Sequence, residues 1–241
     1  MSRTVSWFSC GAASAVAAKL IVNEIPDTIV ARCVIDNEHP DNDRFARDAA
    51  QWFGKTVVNL RSDKYADCWD LWRKRRYLNG PAGALCTVEM KKLVRRAFSE
   101  PEDVHVFGFT LEEEARAERF RLNNIEIDAR FPLIEQRIGK AACYEIVKYE
   151  ARIELPAMYR LGYHNANCVG CVKGGAGYWN KIRVDFPEVF DRMAALETEI
   201  GASCINGKPL ATLDPKVGRH TDLELPDCGL FCGENEGWKH L

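Results

Sequence analysis

The stretch Thr4–Leu20, TVSWFSCGAASAVAAKL, decides the fold. VSWF is a short apolar run and reads as a buried strand. ASAVAAKL, continuing into IVNE, carries the small and apolar residues of a helix. Between them lies SCGAAS (9–14), a turn of small residues with a cysteine in second place. A strand that ends in such a turn and enters a helix presents backbone N–H groups at the helix N-terminus, where an anion is favoured. Gly11 lets a ligand approach the backbone, and Ser9 and Ser14 offer hydroxyls. The turn lacks the lysine of the Walker loop. On residue types alone it is either a phosphate cradle or a plain tight turn.

The same alternation continues outward. TIVARCVID, KTVVNLRS and DVHVFGFT read as strands; DNDRFARDAAQWFG (ended by Gly54), YADCWDLWRKRRYLN, TVEMKKLVRRAFSE and EEEARAERFRLNN read as helices. Strands alternating with helices predict βαβ units, hence an α/β fold with a twisted parallel sheet covered by helices on both faces. Ligands of such sheets sit at the carboxyl ends of the strands. That singles out SCGAAS, DNEHPD and GFTLEEE. Beyond residue 130 the strand signal fades, GKAACYEIVKYEAR and DFPEVFDRMAALETEIGA read as helices, and 201–241 is rich in turns. The expected layout is an α/β domain over 1–130 and a helical, cysteine-bearing cap over 131–241 packed on it.

The chain has 241 residues, 46% of them hydrophobic and 28% charged, the balance of a water-soluble globular protein. With 33 basic and 35 acidic residues the net charge is −2, which gives no global pull toward nucleic acid or an anionic membrane. Two basic stretches, WRKRRY (72–77) and KKLVRR (91–96), are either solvated helix faces or contacts to a polyanion. No apolar run reaches the roughly 18 residues of a membrane span. The N-terminus has no signal-peptide pattern, so a cytoplasmic location is expected.

Ten cysteines in such a chain point to metal or catalytic thiols for some and to apolar packing for others, with Cys33 and Cys143 inside apolar patterns. NANCVGCVKGG holds a C-x-x-C, Cys168 and Cys171. The pair is open to three readings: a zinc half-site, a redox pair or an incidental loop. The tail, LPDCGLFCGENEGW, holds Cys228 and Cys232.

SWFSCGAASAVAAKL resembles the PP-loop of the adenine nucleotide α-hydrolase-like superfamily, which includes ATP pyrophosphatases and the sulfonucleotide (PAPS/APS) reductases. Ser9, Gly11 and Ser14 match the pyrophosphatase form SGGxDS. Cys10 stands in place of a glycine and Ala13 in place of the aspartate, which leans toward the reductases. VIDNEHPD, LCTVEMKK, GFTLEEEARAERF and FPLIEQRIGKAACYEIV are similar to further reductase segments in the family's order, and DCGLF is similar to the C-terminal ECGLH-like motif, with Phe231 at the histidine.

The resemblance implies an adenine nucleotide (PAPS, APS, or ATP with Mg) bound by Ser9, Cys10, Gly11, Ala12 and Ser14, with Asp36, Glu38, Glu113 and Arg119 completing the site. It implies Cys228 as thiol nucleophile and Lys92 (or Lys91) and Arg116 as partners of phosphate or sulfate. It also implies a [4Fe–4S] cluster on Cys86, Cys168 and Cys171, with Cys232 as fourth ligand or resolving thiol. A thioredoxin-like electron donor and a homo-oligomer complete the picture. Two other readings stay open: an ATP-dependent, cluster-bearing sulfurtransferase acting on a nucleic acid or small molecule, and a non-catalytic nucleotide or nucleic-acid sensor.

Overall fold

The computed structural model describes residues 2–80 and 83–219. The elements run β1 (Thr4–Trp7), α1 (Ala12–Glu24), β2 (Ile29–Cys33), α2 (Asp41–Phe53), β3 (Val57–Leu60) and α3 (Cys68–Arg75). A short hairpin follows, β4 (Asn79–Gly80) and β5 (Gly83–Ala84). Then α4 (Leu85–Thr87), a π-helical turn (Val88–Lys92) and α5 (Leu93–Phe98) run on as one rod. After it come β6 (Val104–Val106), a 3-10 turn (Leu111–Glu113), α6 (Glu114–Asn123), β7 (Asp128–Arg130), α7 (Pro132–Glu135), α8 (Lys140–Glu145), α9 (Ala157–Arg160), α10 (Ala176–Asp185) and α11 (Pro187–Ile200).

Five strands form one sheet in the order β3-β2-β1-β6-β7, and every pairing in it is parallel. The expected α/β architecture is present. The chain starts in the middle of the sheet, moves outward through β2 and β3, then returns to the other side of β1. The order therefore reverses between β1 and β6, the place where parallel sheets open a crevice at their carboxyl edge. Strand β1 shows why both faces are covered. Its alternate side chains go to opposite sides. Phe8, just beyond it, joins Phe45, Phe53, Cys143 and the small residues of α1 in one core. Val5 and Trp7 join Phe107, Phe109, Phe120 and Phe131 in another.

Several elements differ from the sequence reading: α9 and the β4–β5 hairpin lie where none was expected, and the helix expected over 65–79 stops at Arg75. β7 and α10 were not anticipated, and Tyr65–Asp67 precede α3 rather than belonging to it. The first helices of the expected cap, α7 and α8, pack back onto α1. The rest of it joins α3 in a third core beyond the carboxyl edge of β2, containing Cys68, Cys86, Cys168, Cys171 and Cys204. Cys143 is fully buried as expected. Cys33 is only partly covered, its thiol lying 3.7 Å from the Lys91 carbonyl. Among the described residues no helix is long and apolar enough to cross a membrane.

His105 on β6 adds a pH-sensitive joint to this frame. The Trp7 indole donates to its Nδ1 at 2.9 Å, and its ring lies parallel to those of Trp7 and Phe107. Burial, helped by Arg95, pulls its pKa down to about 4. The unfolded chain takes up this proton near pH 6.5, the folded one only near pH 4. Stability should therefore fall by about 3 kcal/mol as pH drops through that window, at 1.36 kcal/mol per pKa unit. Urea titrations at pH 7 and pH 4.5 check this. His105→Gln, which keeps an acceptor for Trp7, should flatten that part of the slope.

Candidate nucleotide and thiol site

The turn between β1 and α1 is built from its own side chains. Ser14 Oγ accepts from the Ser9 amide and the Ser9 hydroxyl, each at 3.1 Å, and donates to the Gly11 carbonyl at 3.0 Å. A hydroxyl has one donor and two acceptor sites, so Ser14 is used up in shaping the loop. Gly11 caps α1, and Ala12 is its first, buried residue. The first N–H groups of a helix have no partners within it, and those of α1 face the carboxyl edge of the sheet. Cys10 sits at φ 58, the left-handed region that a glycine would adopt freely. Its side chain is buried with Sγ 3.2 Å from an Arg32 nitrogen, and Arg32 also pairs with Asp43. Burial pushes the Cys10 thiol up to about 12, so Cys10 is an inert part of the loop.

Two neighbours press on the turn. Gly108, just past β6, is so close that a Cβ there would stand 2.6 Å from Ser14 Cα. The hydroxyl of Tyr159 lies over Gly11, 3.2 Å from where a Cβ would be. Thr110 and Glu113 cap the 3-10 turn that leads into α6, Glu113 binds Arg116 at 2.6 Å, and the Arg116 guanidinium covers the Phe109 ring. Arg119 is exposed on the same helix, and Lys92 is half-buried on the π-helical turn.

The strand end after β2 divides its work. Asp36 is exposed and pairs with Arg61 at 2.6 Å. Glu38 is turned inward, with Lys91 Nζ at 3.3 Å and Asn42 Nδ2 at 3.1 Å. Asn37 reaches the thiol core. Its Oδ1 accepts from the Cys68 amide and its carbonyl from the Val169 amide, both at 2.8 Å. Asn37 Nδ2 and Asn42 Oδ1, a donor and an acceptor at this edge, are buried with no hydrogen-bond partner among the described residues. Buried polar atoms are rarely left so.

Cys86, Cys168 and Cys171, grouped by the family resemblance, lie in one core, with Cys68 among them. The Cys68 thiol donates to Met90 Sδ at 3.7 Å and lies beside the Cys168 and Cys86 thiols, whose contacts together with burial raise its pKa well above the ordinary thiol value. The C-x-x-C loop is held by Tyr178, whose hydroxyl accepts from the Cys171 amide at 2.8 Å and donates to the Cys168 carbonyl at 3.2 Å. The resulting donor set is all sulfur, the soft kind that selects iron–sulfur clusters or zinc. Among the described residues no group of three or more His, Cys, Asp or Glu side chains is already spaced to hold a metal ion.

Cys228 and Cys232 lie outside the described residues. Cys68, Asn37 and Tyr159 were not singled out by sequence. Cys68 is hidden inside an amphipathic helical pattern, and nothing in the spacing of the other two marks them. No protein-family model matches the chain, and a search of the curated proteins finds no match to it.

Proposed function

We propose that the chain is a sulfonucleotide-reductase-like enzyme. It binds the phosphate end of an adenine nucleotide at the Ser9–Ser14 turn and works on sulfur with thiols beside a metal centre. The observation that carries this reading is the adjacency made by Asn37: one residue at the carboxyl edge of β2 fixes both Cys68 and the C-x-x-C loop. A phosphate-binding turn and an all-sulfur core on a shared edge suit a nucleotide that carries an oxidised sulfur group.

In this reading the free N–H groups of α1 hold phosphate. Asp36 and the Asn37–Asn42 edge face the nucleoside. Lys92, Arg116 and Arg119 offset phosphate or sulfate charge. Cys86, Cys168 and Cys171 hold a [4Fe–4S] cluster, which supplies a compact charged centre whose potential follows its hydrogen bonding and exposure. Cys228 is the nucleophile. Its thiolate attacks the substrate sulfur, an S–S bond forms, the S–O bond to the nucleotide phosphate breaks, and the nucleotide leaves as its phosphate anion. A second thiolate, from Cys232 or a thioredoxin-like dithiol, attacks the Cys228 sulfur. Sulfite departs with the electron pair, and the two thiols are oxidised to a disulfide.

Sulfite release from PAPS or APS in the presence of a dithiol tests this. Cys228→Ser should lower the rate by about 10³-fold or more, the scale expected for loss of a covalent nucleophile. Undiminished sulfite release by that variant would overturn the mechanism. Pyrophosphate release from ATP with no sulfite would select the sulfurtransferase reading instead.

A further inference from the structure

We infer that Cys68, the first residue of α3, is the fourth thiolate of the metal centre, which leaves Cys232 the other role the family resemblance allows it, that of resolving thiol. The inference rests on the metal-centre part of the proposed function.

The geometry is specific to Cys68. It is fully buried, and its thiol reaches both the Cys86 and the Cys168 thiols, which come from separate segments of the chain. Its backbone is fixed twice over. Asn37 Oδ1 accepts from its amide at 2.8 Å, and the preceding Asp67 caps α3 by accepting from the Asp70 amide at 2.7 Å. The Asn37 carbonyl holds Val169, inside the C-x-x-C loop, from the same residue. Cys68 and that loop are thereby positioned by one support, as ligands of one ion or cluster need to be.

The competing thiol in this core, Cys204, also lies near Cys86, but a carboxylate engages it. Cys204 hydrogen-bonds to the buried Glu197 carboxylate, which also accepts from the Cys204 amide at 2.6 Å. A bound ion or cluster would put metal–sulfur bonds in place of the contacts Cys68 makes with Cys86 and Cys168. With Cys68 as the fourth ligand, Cys232 is left free to act as the resolving thiol beside Cys228.

Full-length wild type, Cys68→Ser, Cys204→Ser and Cys232→Ser are purified without oxygen and assayed for iron, acid-labile sulfide and zinc, with absorption and electron paramagnetic resonance spectra. Wild type, Cys204→Ser and Cys232→Ser should each carry about four iron and four sulfide per chain. Cys68→Ser should lose a quarter or more of its iron, and any cluster left on it should give the signal of a three-iron species. Loss of iron from Cys232→Ser or Cys204→Ser overturns the inference even where Cys68→Ser fails to fold. A folded Cys68→Ser with wild-type content overturns it as well. The two readings fail separately. One zinc per wild-type chain, lost in Cys68→Ser, removes the iron–sulfur reading and keeps Cys68 as a ligand. A wild type free of iron and zinc removes both.

Discussion

Gly108→Ala is expected to displace the Ser9–Ser14 turn, lowering stability and adenine nucleotide affinity together. A methyl group at Gly108 would lie 2.6 Å from Ser14 Cα, 2.7 Å from Ser14 N and 2.9 Å from the Ala13 carbonyl carbon. All three are backbone atoms at the start of α1, so no rotamer change relieves the clash. Either β6 or the first turn of α1 must move. Overpacking of this kind costs about 1–3 kcal/mol, which is a fall in melting temperature of about 2–12 °C for a chain of this size. Moving the turn also moves the N–H groups that the proposed phosphate would meet, so affinity for an adenine nucleotide should weaken at least about tenfold, or 1.4 kcal/mol. Gly54→Ala is the control. Gly54 ends α2 at φ 71, and a Cβ there would meet nothing within 4 Å, so that change strains only its own backbone. It should lower the melting temperature and leave nucleotide affinity unchanged. If Gly108→Ala keeps both stability and affinity, contact with β6 is not what shapes the turn.

The parts of this molecule that were legible in its sequence are those encoded locally. The strand–turn–helix of 4–24 shows in its apolar pattern because β1 is buried on both faces and α1 is buried along most of its length. Gly54 marks the end of α2 because only a left-handed residue closes that helix. β7 was missed because Asp128–Arg130 is a short edge strand with charged ends, where β propensity gives no signal. The thiol core was half legible. A C-x-x-C is a local pattern, so Cys168 and Cys171 stand out, whereas Cys68 and Cys168 are 100 positions apart and meet only because the sheet order brings α3 beside the loop before α10. The same limit hid Asn37, whose neighbours Asp36 and Glu38 looked the more chemical residues. Its role comes from two backbone partners that no spacing announces. Lys91 is the instructive case. Its place after LCT suggested a phosphate ligand, but the π-helical turn carries it inward to Glu38.

That inward turn makes Lys91→Met the sharpest test of how the nucleotide edge is held. The side chains of Lys91 and Glu38 are only 6% and 9% exposed, with Nζ and Oε1 3.3 Å apart. Burial pushes the Glu38 carboxyl above its ordinary range, and the Lys91 charge is the main force pulling it back. Removing that charge leaves a buried carboxylate with Asn42 as its remaining hydrogen-bond donor, a change that costs about 3–5 kcal/mol. The loss should depend on pH in a defined direction. In the variant the folded-state pKa of Glu38 rises further above the unfolded value, so below that raised pKa the folded chain binds more protons than the unfolded one. Stability is then regained as pH falls through the raised pKa toward the ordinary glutamate range. Urea titrations at pH 7.5 and 5.5 should show a deficit that shrinks at the lower pH. Adding Glu38→Gln removes the stranded charge, so the double variant should recover most of the loss, and the cycle should give a coupling of about 3 kcal/mol, at the upper end for residues in contact. A Lys91→Met protein that keeps wild-type stability but binds adenine nucleotide more weakly would mean that Lys91 turns outward to phosphate. A deficit equal at both pH values, with no rescue by Glu38→Gln, would mean that lost packing around the lysine stem, rather than the stranded carboxylate, sets the cost.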